Sequence, residues 1–121
     1  MSKQILVVED QEDNRRILRD LLTSHGYEII EATTGEEGVK LAGKHRPDLI
    51  LMDIQLPDID GYEAARRIKG NAKLRRIPII AVTSYALSGD EVKAREAGCD
   101  DYVSKPFSPR ALLAKVREHL P

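Results

Sequence analysis

The chain has 121 residues, enough for one domain that buries its own core without disulfides or structural metals. Hydrophobic residues make up 41% and charged residues 32%, which excludes collagen-like, disordered and membrane-spanning classes. Nineteen Lys and Arg face twenty Asp and Glu for a net charge of -1, so no positive field gathers nucleic acid or anionic lipid, and direct binding to either is not expected. Cys99 is the lone cysteine, which excludes an internal disulfide and a multi-cysteine zinc site. No apolar run reaches the length of a membrane span or a signal-peptide core, so a reducing, cytoplasmic setting is expected.

Ile5-Leu6-Val7-Val8 is too short for a buried helix and lacks polar alternation, so it reads as a central parallel strand covered on both faces. Helical spacing follows at Ile17, Leu18, Leu21 and Leu22, with Gly26 placed to stop the helix. Tyr27-Glu28-Ile29-Ile30 carries charge within the run, as a shorter or edge strand does. Thr34 and Glu37 then show capping-box spacing before a helix bearing Val39, Leu41 and Ala42. Leu49-Ile50-Leu51-Met52 is a second central strand, followed by helical Tyr62, Ala65 and Ile68, and Ile77 to Val82 is a third. Ser88 with Glu91 starts a fourth helix carrying Val92, Ala94 and Ala97, which Gly98 ends. Asp101-Tyr102-Val103 is a second weak strand, and Ser108-Pro109 suits the first two positions of a last helix with Leu112, Leu113 and Val116. Five strand-helix alternations imply right-handed crossovers: an α/β, doubly wound five-stranded parallel sheet with helices on both faces, residues 1–121 forming one domain.

In such sheets ligands sit beyond the carboxyl ends of the strands. Glu9 and Asp10 follow the first strand, Asp53 the third, Thr83-Ser84 the fourth and Lys105-Pro106 the fifth, so all converge on one edge. Carboxylates about 4 Å apart repel by roughly 4 kcal/mol per pair at an effective dielectric near 20, so stability alone does not place them together. A divalent cation removes the conflict, and an all-oxygen set favours Mg²⁺, with Mn²⁺ as its substitute, over zinc. Asp53 is a carboxylate nucleophile able to form an acyl phosphate, Lys105 a second counterion for phosphoryl oxygens, and the Thr83 hydroxyl a donor to one of them. Taken singly, each residue has a bland reading: acids commonly cap turns after strands, and an exposed lysine is usually only solvated.

Val8-Glu9-Asp10, Leu49-Ile50-Leu51-Met52-Asp53-Ile54-Gln55-Leu56-Pro57, Val82-Thr83-Ser84 and Tyr102-Val103-Ser104-Lys105-Pro106-Phe107 together resemble the receiver domain of bacterial two-component response regulators. The resemblance covers the whole chain and is similar in extent to the single-domain, DivK-like group, with the last helix expected to end near Leu120. It implies a flavodoxin-like sheet of strand order 2-1-3-4-5. It implies that Asp53 accepts phosphate from a phosphohistidine of a sensor kinase or phosphotransfer protein, with Glu9, Asp10, Asp53 and the Gln55 backbone carbonyl around the metal. Thr83 with Ser84 and Tyr102 would form the phosphate-binding and switch set, Lys105 would sense the phosphate, and the Lys105-Pro106 bond would be cis. By the same resemblance, Gln55 and Tyr85 would tune phosphate lifetime. The output would be a shift of the surface around the fourth helix, fifth strand and fifth helix toward a downstream protein target or a phosphorylation-dependent homodimer. Such a chain catalyses only its own phosphotransfer and dephosphorylation.

Three other readings compete. A hydrolase with its nucleophile after the first strand would use Asp10, but a domain filled by five strand-helix units leaves little room for a substrate pocket. An FMN site is disfavoured because the first loop, Glu9-Asp10-Gln11-Glu12-Asp13, would repel a phosphate. An interaction module that is never phosphorylated is set against the joint presence of Asp53, Thr83 and Lys105. Pro57, Asp58, Asp60 and Gly61 read as shaping and capping residues of their loop, and His25, His45 and His119 as helix-end residues rather than ligands.

Overall fold

A computed structural model describes residues 2–83, 90–105 and 108–120. Ser84, Tyr85, Ser88 and Pro106 therefore lie outside the described residues. Strand and helix alternate as β1 (Gln4–Val8), α1 (Glu12–Thr23), β2 (Glu28–Ala32), α2 (Gly35–His45), β3 (Leu49–Asp53), α3 (Gly61–Lys69), β4 (Ile79–Thr83), α4 (Asp90–Glu96), β5 (Asp101–Ser104) and α5 (Pro109–His119). All four strand pairs are parallel, in the order β2-β1-β3-β4-β5. The order reverses at β1, so a crevice opens between the carboxyl ends of β1 and β3.

Alternate residues of each strand feed two cores. Ile5, Val7, Leu49, Leu51 and Ile80 pack with Leu18 and Leu22 of α1 and Leu112, Leu113 and Val116 of α5. Leu6, Val8, Ile50, Met52, Ile79 and Ala81 pack on the other face with Ala42 of α2, Ala64, Ala65 and Ile68 of α3, Ala94 of α4 and Ala97 just beyond it. This two-sided burial explains why β1, β3 and β4 read as continuous apolar runs.

The strands run one or two residues past several of the apolar runs, and β2 and β4 start later than their runs do, each late start for a backbone reason. β2 starts at Glu28 because the Tyr27 N–H closes the end of α1, donating to Leu22 O at 3.2 Å across Gly26, whose φ is 88°. β4 starts at Ile79 because Pro78 has no N–H to give the ladder, although its carbonyl accepts from Ile50 N at 2.9 Å. Gly98, at φ 95°, ends α4 in the same manner as Gly26, with Cys99 N donating to Ala94 O at 2.9 Å. Ser108 accepts from Ala111 N at 2.9 Å ahead of Pro109, as its spacing predicts. Thr34 accepts from Glu37 N at 3.1 Å, but Glu37 answers the Thr33 N–H rather than that of Thr34, a capping box displaced by one residue. Ile17 and Val92, counted among the apolar helix positions, are 53% and 57% exposed and lie outside the core.

Candidate functional site

Strand register lines up the predicted residues. Val8 pairs with Met52, Asp53 with Val82 and Thr83 with Ser104, so Glu9, Asp53, Thr83 and Lys105 follow one another across the carboxyl edge of the sheet. Asp53 and Thr83 are the last residues of their strands rather than the first residues beyond them.

Glu9 is only 2% exposed. One carboxylate oxygen accepts from Lys105 Nζ at 2.7 Å and the other from Gln11 N at 2.9 Å, so both oxygens are engaged by the chain itself. Asp53, 4% exposed, accepts from Gln55 N at 3.1 Å through Oδ1 and from Lys105 Nζ at 3.2 Å through Oδ2. One ammonium group therefore bridges two buried carboxylates. Burial works to discharge Lys105, but the hydrogen bond to Glu9 and the negative charges of Asp53 and Glu9 outweigh it and raise its pKa above the ordinary lysine value.

Asp10 completes the group from the solvent side, and carboxylate oxygens of Glu9, Asp10 and Asp53 lie within 4.8 Å of one another. Its carboxyl is held above the usual aspartate range, first by partial burial and then by its contact with Glu9. The donor set contains oxygen only, without thiolate or imidazole, and its surplus negative charge fits a hard divalent cation. Asp10, Gln11, Asn14, Asp53, Gln55 and Lys105 line an open cleft of about 310 Å³ above this group.

Thr83 is buried, and its carbonyl accepts from Lys105 N at 2.6 Å, which ties the start of the Lys105 loop to β4. Tyr102 pairs with Ala81 in the sheet and packs into the core on the α2, α3 and α4 side. Thr83 is two residues beyond Ala81, so Thr83 and Tyr102 share one face of the sheet.

Several residues that shape this cleft carry no motif. A Cβ on Gly61 would collide with the carbonyl oxygen of Asp53 and come within 2.8 Å of Ile54 Cα, so only glycine lets α3 begin against the end of β3. Asp60 caps α3 by accepting from Glu63 N at 2.8 Å. Asp58 reaches instead to α2, accepting from Gly35 N and Glu36 N at 2.8 Å each. Burial works against the Asp58 charge, yet those N–H groups hold its carboxyl below the usual range. The loop following Asp53 is thus pinned to two helix starts, as the capping reading of Asp58 and Asp60 anticipates. Arg15, on α1, reaches back to the carbonyls of Glu9 and Asp10, and no local pattern announces that contact.

A second group with carboxylate and imidazole atoms within 4.8 Å, Asp101, Glu118 and His119, lies on β5 and α5. Asp101 there accepts from Lys115 Nζ at 2.9 Å and pairs with His119 Nε2 at 3.2 Å, an ion-pair cluster already supplied with donors.

The model of the "Response regulator receiver domain" family matches residues 5–117. The polar-differentiation response regulator DivK of Brucella anthropi is 46% identical over 120 residues, covering 99% of this chain and 98% of that protein. Among solved structures, the receiver domain of the sensor histidine kinase PA1611 from Pseudomonas aeruginosa, with a magnesium ion coordinated in its active site cleft, superposes at a TM-score of 0.92 with 38% identity, covering 99% and 98% of the two chains. A CheY-like response regulator receiver domain protein from Methanospirillum hungatei gives a TM-score of 0.92 at 34% identity, covering 99% and 94%. Sequence match and fold thus point to one signalling class, and the chain belongs to the response regulator receiver domain family of two-component systems.

Proposed function

We propose that the protein is a phosphorylation-activated switch in which Asp53 accepts a phosphoryl group from a phosphohistidine of a sensor kinase or phosphotransfer protein. A carboxylate oxygen of Asp53 attacks phosphorus as the phosphorus-nitrogen bond breaks, and the departing imidazole keeps the electron pair and takes a proton. Asp10 and Asp53 would hold Mg²⁺ or Mn²⁺, with Glu9 and the Gln55 carbonyl beside them, and the ion would offset negative charge on the phosphoryl oxygens. Glu9 has both oxygens engaged by Lys105 and Gln11, which favours a supporting contact to the metal through water over direct ligation. Lys105, released in part from Asp53, pairs with a phosphoryl oxygen, and Thr83 donates its hydroxyl to another.

The observation that carries this reading is the Lys105 ammonium bridging buried Glu9 and Asp53 beside the open Asp10 carboxylate. It supplies nucleophile, counterion and metal ligands in one solvent-open cleft. Magnesium in the cleft of the PA1611 receiver supports the same ion here. Movement of Thr83 toward phosphate would be read out on the α4, β5 and α5 surface through Tyr102, on the same face, for a downstream protein or a second copy of the chain. A cytoplasmic setting suits such partners.

Incubation with Mg²⁺ and acetyl phosphate, followed by intact mass measurement, tests the proposal. One added, base-labile phosphate is expected, lost in Asp53→Asn and lost with chelator. Unchanged mass across several donors returns the protein to the class of unphosphorylated interaction modules, and label on Asp10 points to the hydrolase reading.

A further inference from the structure

The turn that carries Glu9 and Asp10 is gripped from α1. Arg15 is 11% exposed in its side chain, and its Nη1 donates to the carbonyls of both Glu9 and Asp10 at 3.0 Å. The guanidinium is itself held from two sides. Nη2 pairs with Glu12 at 2.5 Å, and Nε lies 3.4 Å from Glu31 Oε1 on β2. Glu31 is fixed in turn by Arg19, whose Nη1 donates to both of its oxygens at 3.0 and 2.9 Å. A planar fork oriented by two carboxylates thus sets two successive peptide planes. Those planes decide where the side chains leave the backbone: Glu9 inward to Lys105, Asp10 outward to the cleft.

We infer that Arg15 is a positioning residue for divalent-cation binding, holding the Glu9–Asp10 turn so that Asp10 faces Asp53, with Glu31 as the anchor that orients it. The inference rests on the proposed function of the cleft and adds to it the residues that hold its acidic pair in register. The alternative role for a buried cation beside an acidic pair is purely electrostatic, and the two roles predict opposite signs. A positive charge that acts only through its field repels a divalent ion, so removing it tightens binding. A clamp that orients a ligand weakens binding when lost, and partners of this kind change metal affinity by about 10- to 100-fold.

The test titrates Mn²⁺ into the unphosphorylated full chain, reading free Mn²⁺ by electron paramagnetic resonance, with a urea unfolding curve for each variant. Arg15→Met is expected to weaken Mn²⁺ binding about tenfold or more. Arg15→Lys is expected to weaken it comparably, because one ammonium cannot span two carbonyls and two carboxylates. Glu31→Gln should weaken it less, since Glu12 still holds the guanidinium. Lys69→Ala is the control for lost stability: Lys69 ties Asp100 to the carbonyls of Arg75 and Ile77 at the opposite end of the sheet, and its loss should leave Mn²⁺ affinity unchanged. Unchanged or tighter binding in Arg15→Met, restored affinity in Arg15→Lys, or equal weakening in Lys69→Ala each overturns the inference. If Arg15→Met does not fold, Arg15→Lys and Glu31→Gln decide the matter. A wild-type chain that binds no Mn²⁺ at millimolar concentration overturns the proposed function and this inference together, whereas binding insensitive to Arg15 overturns the inference alone.

Discussion

α1 and α4 cover opposite faces of the sheet, and they are held in different ways. α1 runs for twelve residues, buries Leu18 and Leu22, and ties its basic residues Arg15 and Arg19 to Glu31 on β2. Among the described residues α4 spans seven, places the small side chain Ala94 in the core with Ala97 of the turn that follows, and turns Val92 to solvent. Its ion pair, Arg95 with Glu91, is exposed on both sides and contributes little. Apolar burial scales with area, so two alanines anchor a helix far less firmly than two leucines. The β1 and α1 side of the cleft is therefore firmly packed, while α4, toward which the proposed phosphate signal would travel, is thinly anchored by its described residues. A weakly held element needs only a small difference in ligand affinity to shift its population.

The largest expected effect tests the firm side. Leu22→Ala should lower unfolding free energy by about 2–5 kcal/mol in urea titrations, since a fully buried leucine is replaced by a cavity. Gly61→Ala should cost about 1–3 kcal/mol through overpacking against the carbonyl of Asp53, and should slow phosphate incorporation because Asp53 must shift. Ala94→Gly on α4 should cost about 1–2 kcal/mol, from helix propensity and one lost buried methyl. A loss equal to that of Leu22→Ala would erase the contrast between the helices, as would α4 amides that exchange hydrogen as slowly as those of α1.

Smaller effects come from titration. Burial works to raise the Asp101 pKa, but the hydrogen bonds from Lys115, Tyr102 N and His119 prevail and depress it. Its folded pKa is below the unfolded value near 3.8, so its contribution is present above that pH and is lost as pH falls through the depressed value. Asp101→Asn should flatten the acid limb of the stability curve, and an unchanged limb would remove β5 and α5 from the comparison. Asp10 has the reverse sign. Its folded pKa is raised, so the metal-free fold gains stability at low pH and loses it as pH climbs from 3.8 through the raised value. Asp10→Asn should therefore raise the melting temperature slightly in chelator at neutral pH, and an unchanged or lower one would show that the acidic pair is not strained. Asp53, already paired with Lys105 and Gln55 N, should show less of this gain.

Much of the fold is legible in short runs of residues. Ile5 to Val8 and Leu49 to Met52 announce doubly covered strands, and Gly26, Gly98 and Ser108 mark helix ends where the backbone uses them. Strand starts are less legible: Tyr27 looks like a strand residue until its N–H is needed to close α1, and Ile77 until Pro78 interrupts the ladder. Ile17 and Val92 have helical spacing but no partner in the core, because spacing defines a stripe and not what packs against it. In the site, Glu9, Asp10, Asp53, Thr83 and Lys105 are readable because each ends a strand or follows one within two residues. The Arg15 contact is not, having no motif to mark it, and while Asp58 and Gly61 read as loop-shaping residues, their partners, the start of α2 and the Asp53 carbonyl, come only with folding.

The sequence by itself determined the alternation of strand and helix and the residue types at each strand end, because periodicity and chain stops are local properties. Only the tertiary structure decided which carboxylate receives the lysine, which stays open to solvent, and which helix is loosely held. Those outcomes depend on register across the sheet and on how much surface each helix finds to cover, and neither is encoded within a single segment.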